Sequence, residues 1–227
     1  MQNADMDRPP LHLLILGATG LVGQQVLDLA LHDPRIGRIT APTRRPVAEH
    51  PKLSNPRVDY RNLAGTDWGP ADAVVCALGT TLKAAGGKAG LREVDFGFVL
   101  DAAWLAKRSG ATRFVLNSSL GADPESANFY LKTKGETEQA LAAMGFEALT
   151  LVRPSLLDGG PRPERRSGEQ LGLWLGKRLG RLIPLRYRPV STRTVAKAML
   201  ECALDTRSGL QILENDQLLS DYSIGNA

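Results

Sequence analysis

Leu11-His-Leu-Leu-Ile-Leu-Gly-Ala-Thr-Gly-Leu-Val-Gly23 decides how this chain of 227 residues is read. A short apolar run stops at Gly17, and Gly20 and Gly23 follow at intervals of three before an amphipathic segment. Short apolar runs ended by glycine read as buried strands, and apolar residues at helical spacing read as helices. The stretch therefore predicts a strand, a tight turn and a helix N-terminus. Such a turn holds the pyrophosphate of a dinucleotide, whose charge meets the free N–H groups of the helix start. Gly17 allows the sharp turn, Gly20 lets the backbone approach the ligand, and Gly23 permits close packing of helix on sheet.

Working outward, Gly20–Leu31 reads as the helix, with Val22, Val26, Leu29 and Ala30 on one face. His32-Asp33-Pro34 ends it, because the residue before proline disfavours the helical conformation. Arg38–Ala41, Arg57–Tyr60, Ala71–Leu78, Arg113–Asn117 and Ala148–Val152 read as further strands, with helices at Val94–Lys107 and Asn128–Met144. The near-continuous apolar run at Ala71–Leu78 suits a central parallel strand covered on both faces. This alternation predicts the α/β class, a Rossmann-type doubly wound parallel sheet. After Pro154 the alternation stops; Ser191 is placed to cap a helix reaching about Leu204, and Gly209–Glu214 reads as a late edge strand. The expected organisation is a disordered tail over residues 1–10 and one domain over 11–227, with a small C-terminal substrate lobe within 155–227. Inside that lobe Leu171-Gly172, Leu175-Gly176 and Leu179-Gly180 would set a leucine ridge beside a glycine groove, suited to packing within the lobe or at a homodimer contact.

The net charge is +4, but between Pro161 and Arg193 nine Lys/Arg face two Glu, a concentration that suits phosphate-bearing ligands. No apolar run approaches the roughly 20 residues of a membrane span. Met1–Pro10 is polar and lacks the apolar core of a signal peptide. Cys76 and Cys202 lie in apolar runs without metal-ligand spacing, as buried thiols of a reducing compartment do. Together these point to a cytoplasmic protein whose partner is a small-molecule substrate, with neither nucleic acid nor membrane span.

The second strand should end near Thr40–Thr43, and where NAD-binding proteins often place an acidic residue for the ribose 2′-hydroxyl this chain has Thr43-Arg44-Arg45. Arginines there bind a 2′-phosphate by charge-assisted hydrogen bonds, favouring NADP(H) over NAD(H). Leu78-Gly79-Thr80-Thr81 follows the fourth strand, where small residues let the cofactor's ribose and nicotinamide side lie against the backbone. Tyr130 and Lys134 stand four apart on a helix and share a face. A neighbouring ammonium favours the phenolate form, making the tyrosine an acid or base. The lysine can also bond the nicotinamide ribose hydroxyls. Ser118, and next to it Ser119, end the fifth strand and offer a hydroxyl to the substrate oxygen.

Leu16-Gly-Ala-Thr-Gly20, Cys76-Ala-Leu-Gly-Thr-Thr81 with Gly87-Lys-Ala-Gly90, and Asn117-Ser-Ser-Leu-Gly-Ala-Asp123 form a recognisable series. It continues in Tyr130-Leu-Lys-Thr-Lys-Gly-Glu136, Val152-Arg-Pro-Ser-Leu-Leu157 and Gln211-Ile-Leu-Glu-Asn215. On these segments the chain resembles the atypical short-chain dehydrogenase/reductases, and within them the Tat-interacting-protein oxidoreductase family, whose bacterial relatives are often labelled nucleoside-diphosphate-sugar epimerases. The resemblance implies a Rossmann fold binding NADP(H), with Tyr130 as proton donor or acceptor and Lys134 as its partner. It also implies pyrophosphate contacts from Thr19, Gly20, Leu21 and Val22, and 2′-phosphate contacts from Arg44 and Arg45. Leu78 and Gly79 would lie along the cofactor, Leu157 near its nicotinamide end, and Arg165 or Arg166 over it. Leu21-Val22 departs from the polar residues of other members at the turn.

Three functions fit these residues: an NADP(H)-dependent oxidoreductase, a regulatory module that only binds NADP(H), and a sugar-nucleotide epimerase. The last usually needs a larger C-terminal lobe than the about 70 residues after Pro154 provide.

Overall fold

A computed structural model describes residues 9–158 and 183–223. Seven strands form one sheet: β1 (Leu11–Leu16), β2 (Ile36–Thr40), β3 (Leu53–Ser54), β4 (Ala73–Cys76), β5 (Arg113–Asn117), β6 (Ala148–Arg153) and β9 (Gly209–Glu214). Their order is β3-β2-β1-β4-β5-β6-β9, and every neighbouring pair is parallel. The order reverses between β1 and β4, and this is where ligands sit in open α/β sheets, at the carboxyl ends of the strands. Two further strands, β7 (Leu157–Asp158) and β8 (Val190–Ser191), pair with each other beyond the end of β6.

The pleat of β1 divides the core in two. Leu13 and Ile15 point into one half with Val22 and Val26 of α1 (Leu21–His32). The same half takes Val195 and Met199 of α5 (Thr192–Leu204). Leu14 and Leu16 point into the other half, against Val99 and Ala103 of α3 (Val99–Arg108) and Leu141 of α4 (Phe129–Ala143). β4 does the same, with Ala73 and Val75 on one side and Val74 and Cys76 on the other. A strand buried on both faces has no polar alternation, which is why these runs read as nearly continuous apolar sequence. Asn128 caps α4 by accepting from the N–H groups of Tyr130 and Leu131, and Ser191 caps α5 by accepting from Thr194.

Two local readings are corrected, and one helix is added. The third strand is Leu53–Ser54, and Arg57 makes only an isolated bridge to Thr43. Pro56, which has no N–H to give a ladder, separates the two. The helix expected at Val94–Lys107 begins six residues earlier: α2 (Lys88–Arg92) runs into a π-helical turn, Glu93–Phe98, and then into α3. The C-terminal region adds α6 (Asn215–Asp221), whose buried Asn215 donates to Leu185 O and Arg188 O and accepts from Ser155 N–H. Residues 1–8 of the expected tail over 1–10, together with Arg165, Arg166 and the Leu-Gly repeat at 171–180, lie outside the described residues. Among the described residues no helix is long and apolar enough to cross a membrane.

Candidate active site

Gly17 has φ of +84°, and a Cβ there would lie 2.7 Å from the carbonyl of Ala77. The turn after β1 is thus seated directly against the chain leaving β4, and a side chain has no room. Gly23 lies so close to the turn that a Cβ would come within 2.1 Å of Gly17 O. The first turn of α1 carries no side-chain cap and no acidic residue. Its N–H groups open beside exposed Thr19, Gly20 and Leu21, while Val22 and Gly23 turn inward. This is an anion cradle built of backbone, and its donor set fits a dinucleotide pyrophosphate.

Arg44 and Arg45 are exposed just beyond β2, next to buried Thr43. Tyr60 packs beneath this corner, donating its hydroxyl to Pro42 O at 3.0 Å and stacking on Phe98. Burial raises its pKa above the ordinary tyrosine value.

Across the switch point the site is made of side chains. Lys134 is 3% exposed, and its Nζ lies 2.8 Å from Oδ1 of Asp95, which is 1% exposed. Burial works against the ammonium, but Asp95, with help from Tyr130, outweighs it and holds the pKa above the ordinary lysine value. The other Asp95 oxygen accepts the backbone N–H of Thr80 at 2.8 Å. The carboxylate therefore ties the loop after β4 to the lysine of α4. Gly79 lies over the pair: its Cβ would stand 3.3 Å from Asp95 Oδ1 and 3.8 Å from Lys134 Nζ. Leu78 is half-buried beside it, while Leu157 sits in β7 at the far side, beyond the end of β6.

Asp95 belongs to the π-helical turn, and its carbonyl accepts the Thr137 hydroxyl at 2.9 Å. A π turn breaks the regular i→i−4 ladder and is often found at functional sites. Lys134 Nζ also reaches Asn117 O at 3.4 Å and stands 6.0 Å from the centroid of the Tyr130 ring. Tyr130 is half-buried. α4 can come this close because Gly135 packs on Asp123 and Pro124, where a Cβ would meet Asp123 C at 2.2 Å.

The two serines at the end of β5 part company. Ser118 is 4% exposed and donates its hydroxyl to Glu138 Oε1 at 2.5 Å. Glu138 is held in turn by Arg153, with contacts of 3.0 and 2.5 Å, and Arg153 leans on Glu214 at 3.5 Å. The favoured Ser118 hydroxyl is thus committed to a buried network. Ser119 is half-buried, and its hydroxyl has a single long contact, 3.4 Å, to the neighbouring Leu120 O.

Asp95, Asn117 and Glu138 belong to the site without being among the site residues expected from the sequence. A signal for Asp95 was present. It stands at helical spacing between Leu91 and Val99, both buried, so a carboxylate occupies the core stripe of its helix. A shallow apolar cleft of about 430 Å³ lies elsewhere, at the other end of α1 between Leu29 and Leu200, away from these groups.

A family model described as NAD(P)H-binding matches residues 17–206. HTATIP2 of Rattus norvegicus is 33% identical over 219 residues, covering 91% of this chain and 87% of that one. The mitochondrial protein FMP52 of Candida albicans is 32% identical over 205 residues, covering 83% of this chain and 86% of that one. Among solved structures, MoeE5 in complex with UDP-glucuronic acid and NAD superposes with a TM-score of 0.70 at 17% identity, over 92% of this chain and 80% of that one, a likeness of fold. The cytoplasmic placement is corrected by the relatives. FMP52 is named as mitochondrial in Candida albicans, Meyerozyma guilliermondii and Debaryomyces hansenii. The cysteine argument for the cytosol fails on physical grounds: both thiols are free and buried, and burial pushes Cys76 up to about 12 and Cys202 up to about 11. Thiols so shielded report little about the redox state around the protein.

Proposed function

We propose that this chain, which belongs to the NAD(P)H-binding family of HTATIP2 and FMP52 within the atypical short-chain dehydrogenase/reductases, is an NADP(H)-dependent oxidoreductase acting on a carbonyl or alcohol. The observation that carries the reading is the pairing of a backbone-built anion cradle after β1 with the buried Lys134 ammonium at the end of β5. The two flank the switch point of the sheet, as the two halves of a dinucleotide require. Arg44 and Arg45 are exposed just beyond β2 and form no ion pair among the described residues, which supports a 2′-phosphate there. The cofactor, when bound, supplies hydride exchange at nicotinamide C4.

In this reading Tyr130 moves the proton at the substrate oxygen. Lys134 holds the ribose hydroxyls, while Asp95 keeps the lysine charged in a dry site. Ser119, rather than the committed Ser118, presents its hydroxyl to the same oxygen. The substrate enters on the side of β7, β8 and Arg186, which is anchored on Glu214 at 2.7 Å.

Calorimetric titration with NADPH and NADH, followed by a turnover panel of small carbonyls, tests this. We expect tighter NADPH binding, weakened in Arg44→Ala/Arg45→Ala, and turnover abolished in Tyr130→Phe and sharply reduced in Ser119→Ala. Including UDP-glucose and UDP-glucuronic acid in the panel probes the epimerase reading. Interconversion of sugar nucleotides without net redox change would replace the oxidoreductase assignment. Cofactor binding with no turnover and no effect of Tyr130→Phe would leave a regulatory module instead.

A further inference from the structure

We propose that Asn55 determines cofactor specificity by fixing the loop that presents Arg44 and Arg45, an inference that rests on the NADP(H) reading above. Asn55 directly follows β3 and is half-buried. Its Nδ2 donates to Ala41 O at 2.5 Å and to Thr43 Oγ1 at 2.8 Å, and its Oδ1 accepts from Val47 N–H at 3.0 Å. One carboxamide thus touches both ends of the Ala41–Val47 loop and its middle. Thr43 passes the hold onward, donating its hydroxyl to Arg45 O at 2.5 Å.

The backbone does not do this job alone. Up to Thr43 the chain is tied to its neighbour by Ala41 N–H to Ser54 O at 2.9 Å, Thr43 N–H to Pro56 O at 3.1 Å and Val58 N–H to Thr43 O at 3.0 Å. From Arg44 to Val47, among the described residues, no backbone–backbone hydrogen bond is made, and Pro46 has no N–H to offer. The segment that bears the two guanidiniums is held through Asn55 and Thr43. A bidentate phosphate contact needs the planar guanidinium in one place, so a loop free to move loses much of its advantage. Asparagine suits the position because it must donate and accept at once. An aspartate would set a carboxylate oxygen against Ala41 O and offer the arginines a competing anion.

The test is calorimetric titration of the whole protein with NADPH, NADH and adenosine 2′,5′-bisphosphate, on wild type, Asn55→Ala, Thr43→Val and Arg44→Ala/Arg45→Ala. Loss of the loop contacts should weaken NADPH about tenfold, the equivalent of one or two net hydrogen bonds, and NADH less than about twofold. The bisphosphate should follow NADPH. Thr43→Val keeps the Asn55 contacts to Ala41 O and Val47 N–H, removes the hydroxyl that joins Asn55 to Arg45 O, and should shift the same ratio less. It carries the test if Asn55→Ala does not fold. Equal weakening of NADPH and NADH, or an unchanged ratio in both Asn55→Ala and Thr43→Val while Arg44→Ala/Arg45→Ala loses its preference, would overturn the role of Asn55 and leave the NADP(H) reading standing. A wild type that binds NADPH and NADH alike would overturn the NADP(H) reading itself, and this inference with it.

Discussion

The two sides of the crevice are built from different materials. The cradle after β1 is backbone: Gly17, Gly20 and Gly23 leave space, and the N–H groups of α1 supply the polarity. The side at the end of β5 is a buried ion pair, Lys134 with Asp95, shielded to 3% and 1% exposure. A backbone site cannot be mutated away atom by atom, only obstructed. A side-chain site can be dismantled and put back together. That difference sets how each should respond to substitution.

The largest effect is expected where space is the whole design. Gly23→Ala puts a Cβ within 2.1 Å of Gly17 O, and neither partner is a flexible side-chain end. We expect a loss of about 3 kcal/mol or more in urea unfolding, the upper range of overpacking costs, together with loss of cofactor binding. Gly97→Ala is the control, since a Cβ there meets nothing within 4 Å and its backbone φ is not positive. It should be neutral or slightly stabilising. If both variants behave alike, the close contact of α1 with the turn is not what holds the cradle.

The ion pair should show the opposite behaviour, large single losses that a second substitution repairs. Lys134→Met leaves Asp95 buried without its counter-charge, and Asp95→Asn leaves the ammonium so. Each should cost about 3–5 kcal/mol, because an uncompensated buried charge is left behind. Lys134→Met/Asp95→Asn keeps an acceptor for Thr80 N–H and should recover most of the loss. A double-mutant cycle by urea denaturation reads the coupling directly. Single losses that simply add would show that water already screens the pair.

The same contrast explains what could be read from the chain alone. The cradle was legible because glycine is itself the signal: three in a row of spacing, after an apolar run, describe the shape of the backbone. The central strands β1, β4, β5 and β6 were legible because burial on both faces writes itself as continuous apolar sequence. Asp95 was not legible as a partner of Lys134, since 39 positions separate them and only the β4–β5 crossover and the π turn bring them together. α4 hides its inward face for a related reason. Thr133, Lys134, Thr137 and Glu138 are all buried there beside Leu141, so the helix buries polar groups and shows little amphipathic pattern. Ser118 and Ser119 are neighbours in a string that looks symmetrical, and only the structure turns one hydroxyl into Glu138 and leaves the other half-open. The short β3 failed for want of length, because two paired residues leave no periodicity to find.

The smallest expected effect sharpens the comparison through pH, because only the side-chain half of the crevice titrates. Burial alone would depress the Lys134 pKa, but Asp95 and then Tyr130 raise it above the ordinary lysine value in the folded chain. Below the unfolded lysine pKa of about 10.4, both states hold the proton, and the stabilisation from the pair is fully present and flat with pH. Above it the unfolded chain releases the proton while the folded chain keeps it. The native state then binds more protons than the unfolded state, so stability falls as pH rises towards the folded pKa. By pH 10.5 the wild type should have lost about 0.5 kcal/mol relative to its own value at pH 8, over and above any change in Lys134→Met/Asp95→Asn, where this group is gone. Parallel urea titrations at pH 8, 9, 10 and 10.5 measure the difference, and the other lysines cancel between the two proteins. Two curves that fall in parallel would mean that the ammonium gains nothing from Asp95 on folding, and the two halves of the crevice would then differ in composition but not in energetics.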